Sequence, residues 1–232
     1  MPRGDDAVDL LRDSLTYISE NQERFNEALR VHIELSVYSL LLAMVLFLPL
    51  GVLASRRQTV GPTIIGSVAA VRVVPSIAVL FLLFPYRQEI GEIFPFWSTS
   101  FTLALVALTL LAGPPLIINA DAGLRGVDQF VLESARGLGM NEFQVFTRVQ
   151  LPLALPVMIA GIRTAAVEII ASATLAAFIG AGGLGRFITS GLTLYDFSLL
   201  LVGAIPVTLL ALSAEVSLAG LERLVTPPAA TS

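Results

Sequence analysis

The stretch ESARGLGMNEFQVFTRVQLPLALP, Glu133 to Pro156, decides how the rest of the chain is read. It holds two Arg, two Glu, two Gly and two Pro between long apolar runs. Asp128 is placed to cap a helix through Val131, Leu132 and Ala135. Gly137 and Gly139 then interrupt that helix, because glycine adopts a left-handed conformation at little cost. Asn141 followed by Gln144 is a capping-box pattern, which predicts a second helix through Phe143, Val145, Phe146 and Val149. Pro152 is expected to close it. The prediction is two short helices set at an angle, with Phe143 and Phe146 forming an apolar knob shaped for a partner's socket. The alternative is an ordinary amphipathic loop lying on the bilayer.

The surroundings are those of a membrane protein. The chain has 232 residues, of which 55% are hydrophobic and only 14% charged. A soluble domain carries about a quarter charged residues. Mean hydropathy is +0.82. The net charge of −4 is concentrated near the start, where Asp5, Asp6, Asp9, Asp13, Glu20, Glu23 and Glu27 face four Arg. There is no Cys and one His, His32, so neither a thiolate site nor a His cluster can form. All 14 basic residues are Arg. Without Lys the chain cannot build a conventional ATP-binding P-loop.

Five apolar stretches reach the ~20 residues that cross a bilayer core. They lie at 33–54, 62–84, 98–119, 154–177 and 198–219, and the fold class expected is all-α and polytopic. Residues 1–31 lack the apolar core of a signal peptide. Leu11, Leu15, Ile18, Phe25 and Leu29 recur there at helical spacing. They predict an amphipathic helix lying on the membrane or on a neighbouring helix. The domain division is therefore 1–31, an amphipathic segment; 32–219, the membrane domain with a polar loop at 120–153; and 220–232, a tail.

Arginine placement orients the chain. Arg56 and Arg57 follow the first span, Arg125, Arg136 and Arg148 the third, and Arg223 the fifth. An odd number of spans puts these regions on the cytoplasmic side, with the N-terminus outside and the C-terminus in the cytoplasm. Tyr86, Phe94, Phe96 and Trp97 would form an aromatic belt at the outer edge. Small residues at Gly66, Ala69 and Ala70, or at Gly161, Ala165 and Ala166, would permit close helix contact.

The loop also resembles a known motif. Permease subunits of binding-protein-dependent ABC importers carry Glu-Ala-Ala, three residues, Gly, nine residues, Ile, one residue, Leu-Pro. This chain reads Glu133-Ser134-Ala135, Gly139, Val149 and Leu151-Pro152 at that spacing. Ser134 for Ala and Val149 for Ile are mild departures. The segments 73–83, 122–140 and 151–185 resemble the glycine betaine/carnitine/choline, or osmoprotectant, branch. Arg72 and Glu168 depart from that branch, where polar or apolar residues are expected.

The resemblance implies an assembly in the bacterial inner membrane. A second permease subunit, identical or related, would complete the pathway. A separate ATP-binding subunit would hold ATP and Mg, and an extracytoplasmic solute-binding protein would deliver the solute. This chain would bind no cofactor of its own, and no nucleic acid. Glu133, Ser134, Ala135, Arg136, Gly137, Gly139, Val149, Leu151 and Pro152 would couple it to the ATPase. Methionine or another small amino acid is the alternative solute. The aromatic cage that holds a quaternary ammonium by cation–π contact would belong to the binding protein, since the chain's one Trp and four Tyr are scattered.

Three charges fall inside expected spans: Arg72, Arg163 and Glu168. An intramembrane charge faces the bundle interior or water, or snorkels to the headgroups. Glu168 is expected to meet Arg72 across helices or to face the translocation path, and Arg163 to snorkel or to line the same path. Gly180, Gly182, Gly183 and Gly185 would permit bends at an outer gate or at the contact with the binding protein. A channel, or an intramembrane enzyme using Asp196, is the reading from a different class. For the enzyme, the partner Gly-x-Gly-Asp and His-Glu-x-x-His motifs are missing.

Overall fold

The computed structural model describes residues 4–56, 61–71 and 74–226, and every regular element among them is helical. In chain order the elements are α1 (Gly4–Glu20), α2 (Gln22–Arg56), α3 (Gly61–Val71), α4 (Ser76–Leu83), α5 (Arg87–Gly91), α6 (Thr99–Arg125), α7 (Gln129–Gly137), α8 (Glu142–Val145), α9 (Leu151–Ser172), α10 (Gly185–Leu194) and α11 (Phe197–Val225). A π turn, Phe146–Gln150, joins α8 to α9, and a 3-10 segment, Ala173–Ile179, follows α9.

Among the described residues four helices are long and apolar enough to cross a membrane: Gln22–Arg56, Thr99–Arg125, the rod Glu142–Ile179, and Phe197–Val225. The sequence predicted five. The stretch 62–84 is not one helix but α3 and α4, separated before Pro75. Pro75 has an extended ψ of 136° and no N–H to continue a helical ladder. Its ring also keeps the preceding residue out of the helical region.

The centre is α6, which packs against both α2 and α9. Its buried residues run from Phe101 to Leu124 and include Pro114 and Pro115, which the helix accommodates without stopping. Glycines set the approach of its neighbours. A Cβ at Gly51 would stand 2.6 Å from the Ala120 Cβ, and one at Gly161 would stand 2.6 Å from the Asn119 Cβ and 2.9 Å from the Pro115 carbonyl. Ala165 and Ala166 are buried beside Gly161 as expected. Gly66 has no atom within 4 Å of its Cβ position and makes no close crossing. Gly161→Leu should therefore drive α6 and α9 apart. Overpacking costs about 1–3 kcal/mol, so a lower melting temperature of the detergent-solubilised protein checks it.

The start of the chain differs from the expected division at residue 31. The helical break falls at Asn21, and α2 runs without interruption from Gln22 through the first span. α1 docks on neighbouring helices. Ser14 Oγ lies 2.9 Å from the Ser198 carbonyl, and the Tyr17 and Phe187 rings meet edge-on at 6.0 Å. Val8, Leu11 and Leu15 remain exposed on its other side.

Aromatic rings gather at the end of the bundle away from the polar loop. Tyr38, Phe94, Phe96 and Phe101 all lie with ring centroids 4.6–5.4 Å from that of Trp97. Tyr38 was not among the expected belt residues, because α2 brings it there from 59 positions before Trp97. Tyr86 is 61% exposed.

Candidate coupling site

The polar loop is a built hairpin, and each half of it is fastened by side chains. Asp128 accepts a hydrogen bond from the Phe130 N–H at 2.8 Å, which starts α7. α7 ends in a Schellman motif. The Met140 N–H reaches the Ala135 carbonyl at 3.3 Å and the Gly139 N–H reaches the Arg136 carbonyl at 2.9 Å. Gly139 holds φ +85°, which makes it the residue that turns the chain. Gly137 does not break the helix as predicted; it is its last residue.

α8 begins with the predicted capping box. The Gln144 N–H donates to Asn141 Oδ1 at 2.9 Å, and the Asn141 N–H to Gln144 Oε1 at 3.0 Å. Arg136 clamps the two halves, donating to Glu142 through Nε at 2.8 Å and through its second terminal nitrogen at 3.3 Å. The hydrogen bond to Glu142, with that carboxylate's charge, raises the Arg136 pKa above its ordinary value. Ala135 is the buried residue of α7 and Val145 that of α8.

Pro152 does not close the second helix. The backbone widens instead into the π turn, where the Leu151 N–H reaches back to the Phe146 carbonyl. A wider turn just ahead of a proline gives room to a ring that would otherwise press on the preceding turn. The consequence is mechanical: the hairpin continues into α9 as one rod, Glu142–Ile179.

One contact ties α6 to α2 at the base of the hairpin, and two lock the hairpin to the bundle. The Arg125 guanidinium donates to the Ala54 carbonyl at 2.8 Å, Gln150 Nε2 donates to the Leu124 carbonyl at 3.0 Å, and Arg56 lies 4.3 Å from the centroid of the Phe146 ring. Phe146 and Leu151 also pack against buried Ala120, Leu124, Ala154 and Met158. The most exposed apolar side chains of the hairpin are Phe130 at 78%, Leu138 at 82% and Phe143 at 74%. Phe143 is in the predicted knob, but Phe146 is tucked beneath Arg56. Phe130 and Leu138 were missed. The available signal was their position at the two ends of a polar helix, where no span could absorb them.

The other expected residues scatter. Glu133 accepts from Gln129 Nε2 at 3.2 Å, and the Ser134 carbonyl accepts from the Leu138 N–H at 3.1 Å. Val149 lies half-buried in the π turn, and Pro152 is exposed. Arg72 lies outside the described residues, and with it the proposed pairing to the half-buried Glu168. Arg163 reaches Glu215 at 3.2 Å and Glu222 at 3.5 Å, both on α11, partners the sequence reading had not considered. The glycine loop has positive φ at Gly180, Gly182 and Gly183 and lies on α2, where a Cβ at Gly183 would stand 3.2 Å from His32 Nδ1. Gly185 lies so close to the Thr174 carbonyl that no side chain fits. Asp196 caps α11 by accepting from the Leu199 N–H at 3.1 Å, a structural task.

The sequence profile of the binding-protein-dependent transport system inner membrane component family matches residues 25–227. The chain belongs to that family. This permease is 40% identical over 215 residues to a carnitine transport permease protein of Listeria monocytogenes, covering 93% of this chain and 94% of the relative. It is 40% identical to a choline transport system permease protein of Bacillus subtilis (84% of this chain, 86% of the relative) and 35% identical to that organism's glycine betaine/carnitine/choline permease protein (94% and 95%). Among solved structures, the inward-facing MetNI methionine ABC transporter matches with a TM-score of 0.79 at 21% identity, over 89% of this chain and 98% of that one. An amino acid ABC transporter solved with histidines matches at 0.66 and 16%, over 90% and 95%. These two likenesses establish the shared fold. The permease is thus a multi-pass inner-membrane transport component.

Proposed function

We propose that this permease forms the translocation path of an ATP-driven importer for a quaternary-ammonium osmoprotectant such as glycine betaine, choline or carnitine. The observation that carries the coupling half is the exposed apolar triad Phe130, Leu138 and Phe143 on a hairpin continuous with a membrane rod. Apolar side chains held this far into water offer a partner something to bury, and a rigid rod transmits what happens there. Its partner is a separate ATP-binding subunit carrying ATP and Mg. A second permease subunit and an extracytoplasmic solute-binding protein complete the importer.

Orientation follows from charge. Arg56, Arg125, Arg136 and Arg148 gather at the hairpin end, which the positive-inside rule assigns to the cytoplasm. That places the C-terminus in the cytoplasm and the N-terminus with the glycine loop outside, where Gly180, Gly182, Gly183 and Gly185 shape the outer gate. The relatives' names support the solute class. The methionine transporter shares the fold at low identity, so a small amino acid is the second reading.

The test is uptake by proteoliposomes holding the permease with its ATP-binding subunit and its binding protein. ATP-dependent accumulation of labelled glycine betaine, choline or carnitine, with methionine excluded, is the expected result. Accumulation of methionine alone, or uptake indifferent to ATP, overturns it.

A further inference from the structure

Arg163 lies twelve residues into α9, about 18 Å from the hairpin along the helix, and its guanidinium stands between two carboxylates of α11. Nη1 is 3.2 Å from Glu215 Oε1, and Nη2 is 3.5 Å from Glu222 Oε2. The two sites differ in burial: the Glu222 oxygen is buried and makes no hydrogen bond, whereas the Glu215 side chain is 45% exposed. Glu215 and Glu222 are seven residues apart, which places them on one face of α11, two turns or about 10 Å apart along its axis. One planar cation is thus shared by two anionic rungs. It reaches both rungs at once, the more exposed Glu215 at the shorter distance.

α9 and α11 run antiparallel: Arg163 faces positions 215–222 of α11, whereas Ile170, further along α9, lines the same groove as Leu210. Displacing α9 toward the hairpin end therefore carries Arg163 away from Glu215 and toward Glu222. Space lies beside α11 on its α2 side. An apolar groove of about 240 Å³ lined by Ser213, Ala214 and Ser217 flanks α11 beside Glu215, between it and α2. One cation within reach of two partners two turns apart can favour either of them, and bistable contacts are how small displacements become defined transitions.

We propose that Arg163 is a shifting clasp, a positioning residue that passes from Glu215 to Glu222 when the ATPase pulls the hairpin, so that α11 moves in step with α9. This rests on the coupling reading given under Proposed function.

The test uses the full importer in proteoliposomes and reads solute taken up per ATP hydrolysed. It also reads the distance between spin labels at Thr164→Cys and Leu212→Cys, two exposed positions on α9 and α11 of a chain with no cysteine of its own. Wild type should show one distance without nucleotide and another when ATP is trapped. Glu222→Gln should leave the first distance intact and lose the second, and uptake per ATP should fall about fivefold or more, the low end of coupling between linked sites. Glu215→Gln should move the nucleotide-free distance toward the ATP-trapped one. Arg163→Lys keeps the charge without the fork and should assemble normally with a reduced ratio. A wild-type ratio and both distances in all three variants overturns the clasp. Equal loss of assembly in the two Gln variants with an unchanged ratio makes the cluster a static brace, and overturns it too. If wild type itself shows no ATP-driven uptake, the importer reading fails, whereas matched wild-type and variant importers defeat the clasp alone.

Discussion

Leu138→Asp and Phe143→Asp should each release the ATP-binding subunit from the permease while leaving the membrane domain folded. Both side chains are largely exposed and contribute little to the interior. In an interface, an apolar anchor carries binding energy only when its pocket excludes water, and truncating such an anchor costs about 2 kcal/mol or more. That is about 30-fold in affinity. Aspartate goes beyond truncation, because it drives a charge into the space the ring or isobutyl group would fill. Pull-down of the ATP-binding subunit on the tagged permease measures this directly, with the melting temperature of the permease alone as the control. Retention of the subunit at wild-type levels by both variants would remove the hairpin as the docking point. Phe146→Asp should behave differently: Phe146 packs with buried Ala120 and Leu124 and lies beneath Arg56, so its loss should lower the melting temperature.

The hairpin was legible in the sequence because its signals are local. Asp128, Asn141 and Gln144 need only the backbone within three residues to cap a helix, and all three do so. The spans were legible for a similar reason: apolarity over twenty residues is a property of the segment alone. What the sequence hid depends on distant partners. The Arg163 cluster needs α11 to return antiparallel to α9, bringing residues 52 and 59 positions away into reach. Tyr38 joins Trp97 for the same reason. The division of 62–84 was hidden in another way. Hydropathy continues smoothly across Pro75 although the helix does not, and proline is so common within membrane helices that its presence alone does not mark a break.

The π turn shows how a local rule can be right about a residue and wrong about its effect. Pro152 does withdraw a donor, as the sequence reading assumed. The helix survives because the preceding turn takes one more residue and hands the Leu151 N–H to Phe146. Had the helix ended there, the hairpin would be joined to α9 by a flexible link, and a pull on Leu138 or Phe143 would dissipate in it. The continuous rod makes a distant site such as Arg163 answerable to the loop.

Gly139 and Gly137, two residues apart in one motif, should answer substitution in opposite ways. Gly139 sits at φ +85° with open space around it. The obstacle to a side chain there is the backbone itself. A β-branched residue is a genuine outlier in that region, and holding a non-glycine residue in it costs about 1–3 kcal/mol. Gly139→Val would escape by leaving the left-handed conformation, which removes the hydrogen bonds to the Ala135 and Arg136 carbonyls and swings α8 away from α7. The Arg136–Glu142 clamp would open with it, and Phe143 would lose its fixed place on the hairpin. Gly137 closes α7 with nothing within 4 Å of its Cβ position. Alanine there gains helix propensity, about 1 kcal/mol at most, and disturbs no contact. The expected outcome is that Gly139→Val loses nearly all ATP-driven uptake in proteoliposomes, while Gly137→Ala transports like wild type and melts at the same temperature or slightly higher. Equal damage from both would mean that the motif requires flexibility at its turn, and the hairpin could not then be a rigid coupling element.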